Sequence, residues 1–147
     1  MIDPELVTRK ATLITKDLRA LADLARMSKS EFVAGQTQEV LAERYLERAI
    51  GRMIDVNYHL VTEAGEPPPS DYFQSFTDLA RIGALPAEFG REIAACAGLR
   101  NRLVHQYDEI DPSRIYDSVL VAVRDIPEYL RHVDEYVRTR APAVDGR

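Results

Sequence analysis

Between Thr37 and Thr62 the residues Ala42, Leu46, Ile50, Met53 and Leu60 recur at helical spacing, forming an apolar stripe on one side of a long segment. No strand pattern fits such a run, and the rest of the chain repeats the theme. Ile14, Leu18, Leu21 and Ala25 mark one face of a first helix from about Pro4 to Met27, with Asp17, Arg19 and Asp23 between them. Ser28 to Gln36 weakens the pattern before the second helix, which starts near Thr37 or as early as Ser30. Val, Ile and Thr never gather into short alternating runs, whereas Ala, Leu, Glu and Arg fill long stretches, so the expectation is an all-α fold.

Punctuation then divides the second half. Pro67, Pro68 and Pro69 end the second helix, because consecutive prolines remove donors and exclude helical geometry from the residues before them. Ser70 is expected to cap a short third helix from about Asp71 to Ile82, with Phe73, Phe76 and Leu79 turned inward and Gly83 closing it. Pro86 opens a fourth helix at its first position, whose stripe of Phe89, Ile93, Cys96 and Leu103 runs on past residue 100. Asp111-Pro112 reads as a cap and first-turn proline for a last helix, with Ile115, Val119, Val123 and Ile126 inward and Pro127 kinking or dividing it. The expected architecture is an antiparallel bundle of four to five helices, one domain over residues 1–138 with a flexible tail over 139–147.

Composition narrows the functional classes. At 147 residues with 46% hydrophobic content the chain has material for one core and no room for a second domain. Cys96 is alone, which excludes an internal disulfide framework, and no run approaches the roughly 20 apolar residues of a membrane span. The N-terminus lacks the basic start and apolar core of a signal peptide, so a cytoplasmic location is expected. There is no glycine-rich phosphate loop and no paired-cysteine or His-x-x-x-His ligand spacing, so neither a cofactor nor a metal is expected. A net charge of −5 argues against a general basic coat, and any nucleic-acid site must be local. Arg44, Arg48 and Arg52, four apart, read as a solvated face, with contact to phosphate as the lesser alternative. Asp55 and His59 are likewise four apart and read as a hydrogen-bonded pair, and His132 as a surface side chain.

The run Arg100-Asn101-Arg102-Leu103-Val104-His105-Gln106-Tyr107 differs from these. Arg100 shares the phase of Cys96, Leu103 and Tyr107, which sets a charge on an apolar stripe where it needs a carboxylate or a polar surface. Five residues place Arg100 and His105 about 140° apart on an ideal helix. They converge on one atom only if the helix end distorts or if two copies cross about a two-fold axis. Asn101 lies four residues before His105, in position to orient its ring, and Arg102 adds charge three residues before it. Histidine moves protons near neutral pH, and arginine grips phosphate and steadies developing charge. Together they suit metal-independent RNA cleavage: the imidazole takes the ribose 2′-hydroxyl proton and the guanidinium steadies the pentacoordinate phosphorus. From residue types alone the spacing is a weak signal, and a structural Arg and His at the edge of a core is the usual explanation.

Nearly the whole domain resembles HEPN-domain proteins, and among them the HepT toxins paired with MntA-type nucleotidyltransferase antitoxins. The similarity is carried by the Arg-x-x-x-x-His-x-Tyr run, the Gly98-Leu99-Arg100-Asn101 lead-in, the string Ala42 to Ile50 followed by Asp55 and His59, and the segment from Pro69 to Leu85. The resemblance implies a homodimeric endoribonuclease with both protomers' motifs lining one cleft. Arg100 and His105 would be catalytic, Asn101 and Arg102 supporting, and Tyr107 the residue that the partner enzyme adenylylates with ATP. AMP there would set a bulky anion two residues from the histidine, whereas the bland alternative for Tyr107 is an aromatic core residue. The competing functional class is a non-catalytic HEPN subunit that docks a nucleotidyltransferase and presents substrate to it; a bare helical interaction module is the third.

Overall fold

A computed structural model describes residues 1–106, 108 and 110–140. Seven helical segments and no strand occur among the described residues: α1 (Pro4–Ala25), α2 (Lys29–Ala34), α3 (Gln36–Glu63), α4 (Tyr72–Arg81), α5 (Ala87–Ile93), α6 (Ala95–His105) and α7 (Pro112–Arg140). The expected all-α bundle is present, with more segments than the four to five read from periodicity. Two differences account for the count. Ser28 and Glu31 close a reciprocal capping box, so the weak stretch after α1 becomes the short α2, which seats fully buried Phe32 against Tyr116 with ring centroids 5.3 Å apart. The helix expected from Pro86 begins one residue later, with Pro86 just outside it, and a tightened turn at Ala94 separates α5 from α6. No breaker residue forces that turn.

α3 is the central element, packed by α1, α2, α4, α6 and α7. Encirclement explains why its buried set is wider than one stripe and includes Val56, Asn57 and Val61 beside Leu46, Ile50 and Met53. The core runs from Ile2 to Tyr136. α7 continues past Pro127 as one segment and is not divided there. Its start is as expected: Asp111 accepts from the Ser113 amide at 2.9 Å, a bond that holds its carboxyl below the usual range. α7 reaches Arg140, and residues 141–147 of the expected tail lie outside the described residues.

Four smaller expectations are corrected. Asp71, not Ser70, caps α4, accepting from the Gln74 amide at 2.7 Å, while Ser70 turns its own amide and hydroxyl to the Gln74 side chain. Phe76 and Leu79 are buried but Phe73 is 53% exposed. Residues three apart fall back about 60° per step, which carries Phe73 off the inward face. Asp55 and His59 do not pair: Asp55 accepts from Lys10 at 2.8 Å, and His59 Nε2 accepts from the Asp3 amide at 2.9 Å. His132 is not a plain surface residue either; its side chain is 19% exposed, within 3.3 Å of Glu128 and tilted against Phe89.

A buried polar chain links three helices. The Tyr129 hydroxyl donates towards the Asn57 side-chain oxygen and the Met53 carbonyl, the Asn57 amide donates to Ser75 Oγ at 3.1 Å, and Ser75 donates to the Tyr72 carbonyl at 2.7 Å. Each of these polar groups is satisfied, as burial requires. The chain pins the first turn of α4, and with it Tyr72, to the core. No helix among the described residues is long and apolar enough to cross a membrane.

Candidate functional site

The motif occupies the last turns of α6. Arg100 is half-buried, Leu103 is buried, and Asn101, Arg102 and His105 are exposed, with His105 the final helical residue. The Gln106 amide closes the end by donating to the Arg102 carbonyl at 2.7 Å. Tyr107, the expected modification site, lies outside the described residues.

Arg100 lines a cleft of about 530 Å³ whose walls come from α1, α3, α4 and α6. Its guanidinium carbon stands 5.1 Å from the centre of the Tyr72 ring, a cation–π geometry that gives the charge an apolar seat. Tyr72 in turn meets Tyr58 edge-on, with centroids 6.3 Å apart and planes at 81°. Burial, and then the neighbouring Tyr72, pushes the Tyr58 hydroxyl above its ordinary range, so it stays a neutral donor. The row Arg44, Arg48 and Arg52 forms the opposite wall, joined by Lys10.

That row is no plain solvated face. Asp17, taken from the sequence as a polar spacer on α1, is 2% exposed and receives Arg52 at 2.8 Å and Arg48 at 3.3 Å. One carboxylate beneath the wall thus fixes two guanidiniums across it. Among the described residues Arg44 pairs with its neighbour Glu47, at 3.4 Å. Five cations therefore meet Glu47, Asp55 and the underlying Asp17, a local positive excess in a chain of net −5. The floor is α3 at Gly51, where a Cβ would meet nothing within 4 Å.

The structure separates the motif residues within one chain. His105 is not among the residues lining the Arg100 cleft. Arg102 points to a different groove, shared with Cys96, Leu99 and the α7 residues Asp117, Val121 and Asp125. Burial, and then Asp125, pushes the Cys96 thiol up to about 12. Sequence reasoning missed Lys10, Asp17, Gly51, Tyr58 and Tyr72. Only the arginine row left a signal, and its buried partner left none.

Helices gathered around α3, with an arginine from an Arg-x-x-x-x-His run at the wall of a basic cleft, define a small HEPN-type bundle. The family model for HepT-like ribonucleases matches residues 14–133. A tRNA nuclease HepT from Aphanizomenon flos-aquae is 30% identical over 138 residues, 94% of each chain. Among solved structures, a toxin–antitoxin complex with AMP-PNP contains a chain that superposes with a TM-score of 0.81 at 19% identity, over 89% of this chain and 98% of that one. The tri-AMPylated HEPN toxin of Shewanella oneidensis, in complex with an MNT antitoxin, gives 0.80 at 21% identity over 92% and 99%. The chain belongs to the HepT-like ribonuclease family.

Proposed function

We propose that this protein is the toxin of a two-component system: a metal-independent endoribonuclease that works as a homodimer and is silenced when a cognate MntA-type nucleotidyltransferase adenylylates Tyr107. The observation that carries this reading is the position of Arg100 on the wall of a cation-rich cleft in an otherwise acidic chain. In the proposed reaction His105 takes the 2′-hydroxyl proton, the freed oxygen attacks the adjacent phosphorus, and the 5′-oxygen leaves with a proton. The products are a 2′,3′-cyclic phosphate and a 5′-hydroxyl. Arg100 stabilises the charge on the pentacoordinate centre, with Asn101 and Arg102 supporting. This chemistry needs no metal or cofactor; ATP serves only the partner enzyme.

His105 is absent from the Arg100 cleft of its own chain, which supports a site completed by the second copy's motif. The relative that is a tRNA nuclease makes tRNA the first substrate to test, and the cytoplasm the compartment in which it would act. The AMPylated state of the Shewanella toxin supports Tyr107 as the switch.

The decisive experiment incubates purified protein with tRNA in the presence of EDTA. Wild type should cut, and Arg100→Ala and His105→Ala should not while keeping their helical spectra. Undiminished cleavage by His105→Ala would sink the mechanism, and cleavage by a strict monomer would sink the shared site. Protein that cuts no RNA but binds the nucleotidyltransferase tightly would instead be its non-catalytic partner. Co-expression with that enzyme should add AMP mass to the peptide containing Tyr107.

A further inference from the structure

The Arg100 cleft has far more architecture than one transition-state arginine requires. Arg48 and Arg52 are held by a carboxylate that is itself almost entirely out of water. An apolar substitute would serve stability as well as a buried ion pair does, so the arrangement is better explained by what the arginines are held ready to meet. Tyr58 and Tyr72 offer aromatic surface beside them, and Tyr72 is tied through Ser75 and Asn57 to the core. Gly51 is the third element. A glycine in the middle of a 28-residue helix costs roughly 1 kcal/mol relative to alanine, yet no neighbour excludes a side chain there. What its absence preserves is the open floor of the cleft.

Guanidiniums fixed at one wall, an aromatic pair at the other and a bare floor between them match a nucleotide unit of a single strand, with its phosphate on the arginines and its base on the tyrosines. We infer that the cleft of Arg44, Arg48, Arg52, Gly51, Tyr58 and Tyr72 is a subsite for single-stranded RNA flanking the bond that is cut. The inference rests on the ribonuclease reading for its neighbour, Arg100, and adds the contacts that position the strand. Arg44, exposed and paired among the described residues with Glu47 at 3.4 Å, can swing onto a phosphate, while Asp17 is a positioning residue that acts through Arg48 and Arg52. An acidic protein surface would satisfy the arginines but would leave the tyrosines without a planar partner.

The test uses the His105→Ala protein, so that binding is read without cleavage, and a short fluorescein-labelled single-stranded oligoribonucleotide followed by anisotropy. Gly51→Leu fills the floor while favouring the helix, and Arg44→Gln and Tyr72→Leu remove a phosphate contact and a stacking surface. Each should weaken binding about tenfold. Arg44→Gln should also lower the salt dependence by about one phosphate's worth, a slope change of roughly 0.7. Tyr72→Leu should leave binding of an abasic ribose-phosphate oligomer unchanged. Gly51→Leu protein that is folded by circular dichroism and binds RNA as its parent does would overturn the subsite. So would AMP competing as well as the oligomer, which would make the cleft a free-nucleotide pocket, or variants that lose the nucleotidyltransferase but not RNA. The two readings fail separately. Wild-type protein that binds through this cleft and never cuts refutes the nuclease alone, and cleavage unaffected by Gly51→Leu and Tyr72→Leu refutes the subsite alone.

Discussion

Replacing Asp17 with alanine tests whether one buried carboxylate organises the cation wall. Removing one partner from a fully buried ion pair typically costs about 3–5 kcal/mol, because the other charge is stranded. Here the strandedness is incomplete: the Arg52 side chain is 22% exposed and that of Arg48 35%. Both guanidiniums can turn to water, and what is lost is the charge-assisted hydrogen bond from Arg52 and the looser ion pair with Arg48, together worth about 2 kcal/mol after that relief. For a chain of this length such a loss lowers the midpoint of thermal unfolding by roughly 4–8 °C. Asp17→Asn, similar in volume and keeping one acceptor, should fall between wild type and alanine. The assay is unfolding in urea and by heat, run as a double-mutant cycle with Arg52→Ala, where coupling of about 1 kcal/mol or more is expected. A loss under about 0.5 kcal/mol for Asp17→Ala, or a cycle with no coupling, would refute the claim that the carboxylate holds the wall.

Tyr129→Phe should cost about 1–3 kcal/mol by leaving the Asn57 oxygen without its donor, measured by urea denaturation. Burial first, and then Cys96, raises the Tyr129 hydroxyl well above its usual value. Its contribution to stability is therefore complete below the unfolded-state value of about 10 and is lost as pH rises beyond it; Tyr129→Phe should flatten that alkaline loss. Cys96 is half-buried and its thiol is pushed up to about 12, so it should react with a thiol reagent at pH 8 more slowly in native protein than in urea, and equal rates would contradict that shift. Glu43 is raised to about 6, by burial first and then by Glu39. Its protonated form is favoured in the fold, so its contribution is full below about pH 4.5 and is lost as pH rises through 6. Glu43→Gln should accordingly stabilise the protein at pH 7.5, by up to about 1 kcal/mol once solvent screening is allowed for, and not at pH 4.5.

Local periodicity made most of the fold legible. The stripes on α1, α3 and α7, the stop at Gly83 and the cap at Asp111 are all set by residues within a turn or two of one another, and the structure keeps them. α2 was also encoded locally, in the Ser28–Glu31 box, but a six-residue helix has no period to detect. The site was legible only at Arg100 and the arginine row. Asp17 reaches Arg52 across 35 residues, and Tyr72 comes to Arg100 from another helix, so neither contact has a signature within a window of sequence. Helix geometry did separate Arg100 from His105, and their different surroundings in the fold follow from it.

The charge asymmetry of this chain has a kinetic meaning. With five of the 19 Lys and Arg gathered in one cleft against Asp17, Glu47 and Asp55, the rest of the chain is more acidic than the net charge of the whole, by two charges. If the cleft takes RNA as proposed, the acidic remainder of the chain disfavours other approaches of a polyanion and leaves encounters fewer but better oriented. Proteins basic all over spend their time on whatever polyanion is most abundant. This one would waste little time in unproductive contact, and the filter would fade as added salt shortens the reach of its repulsion.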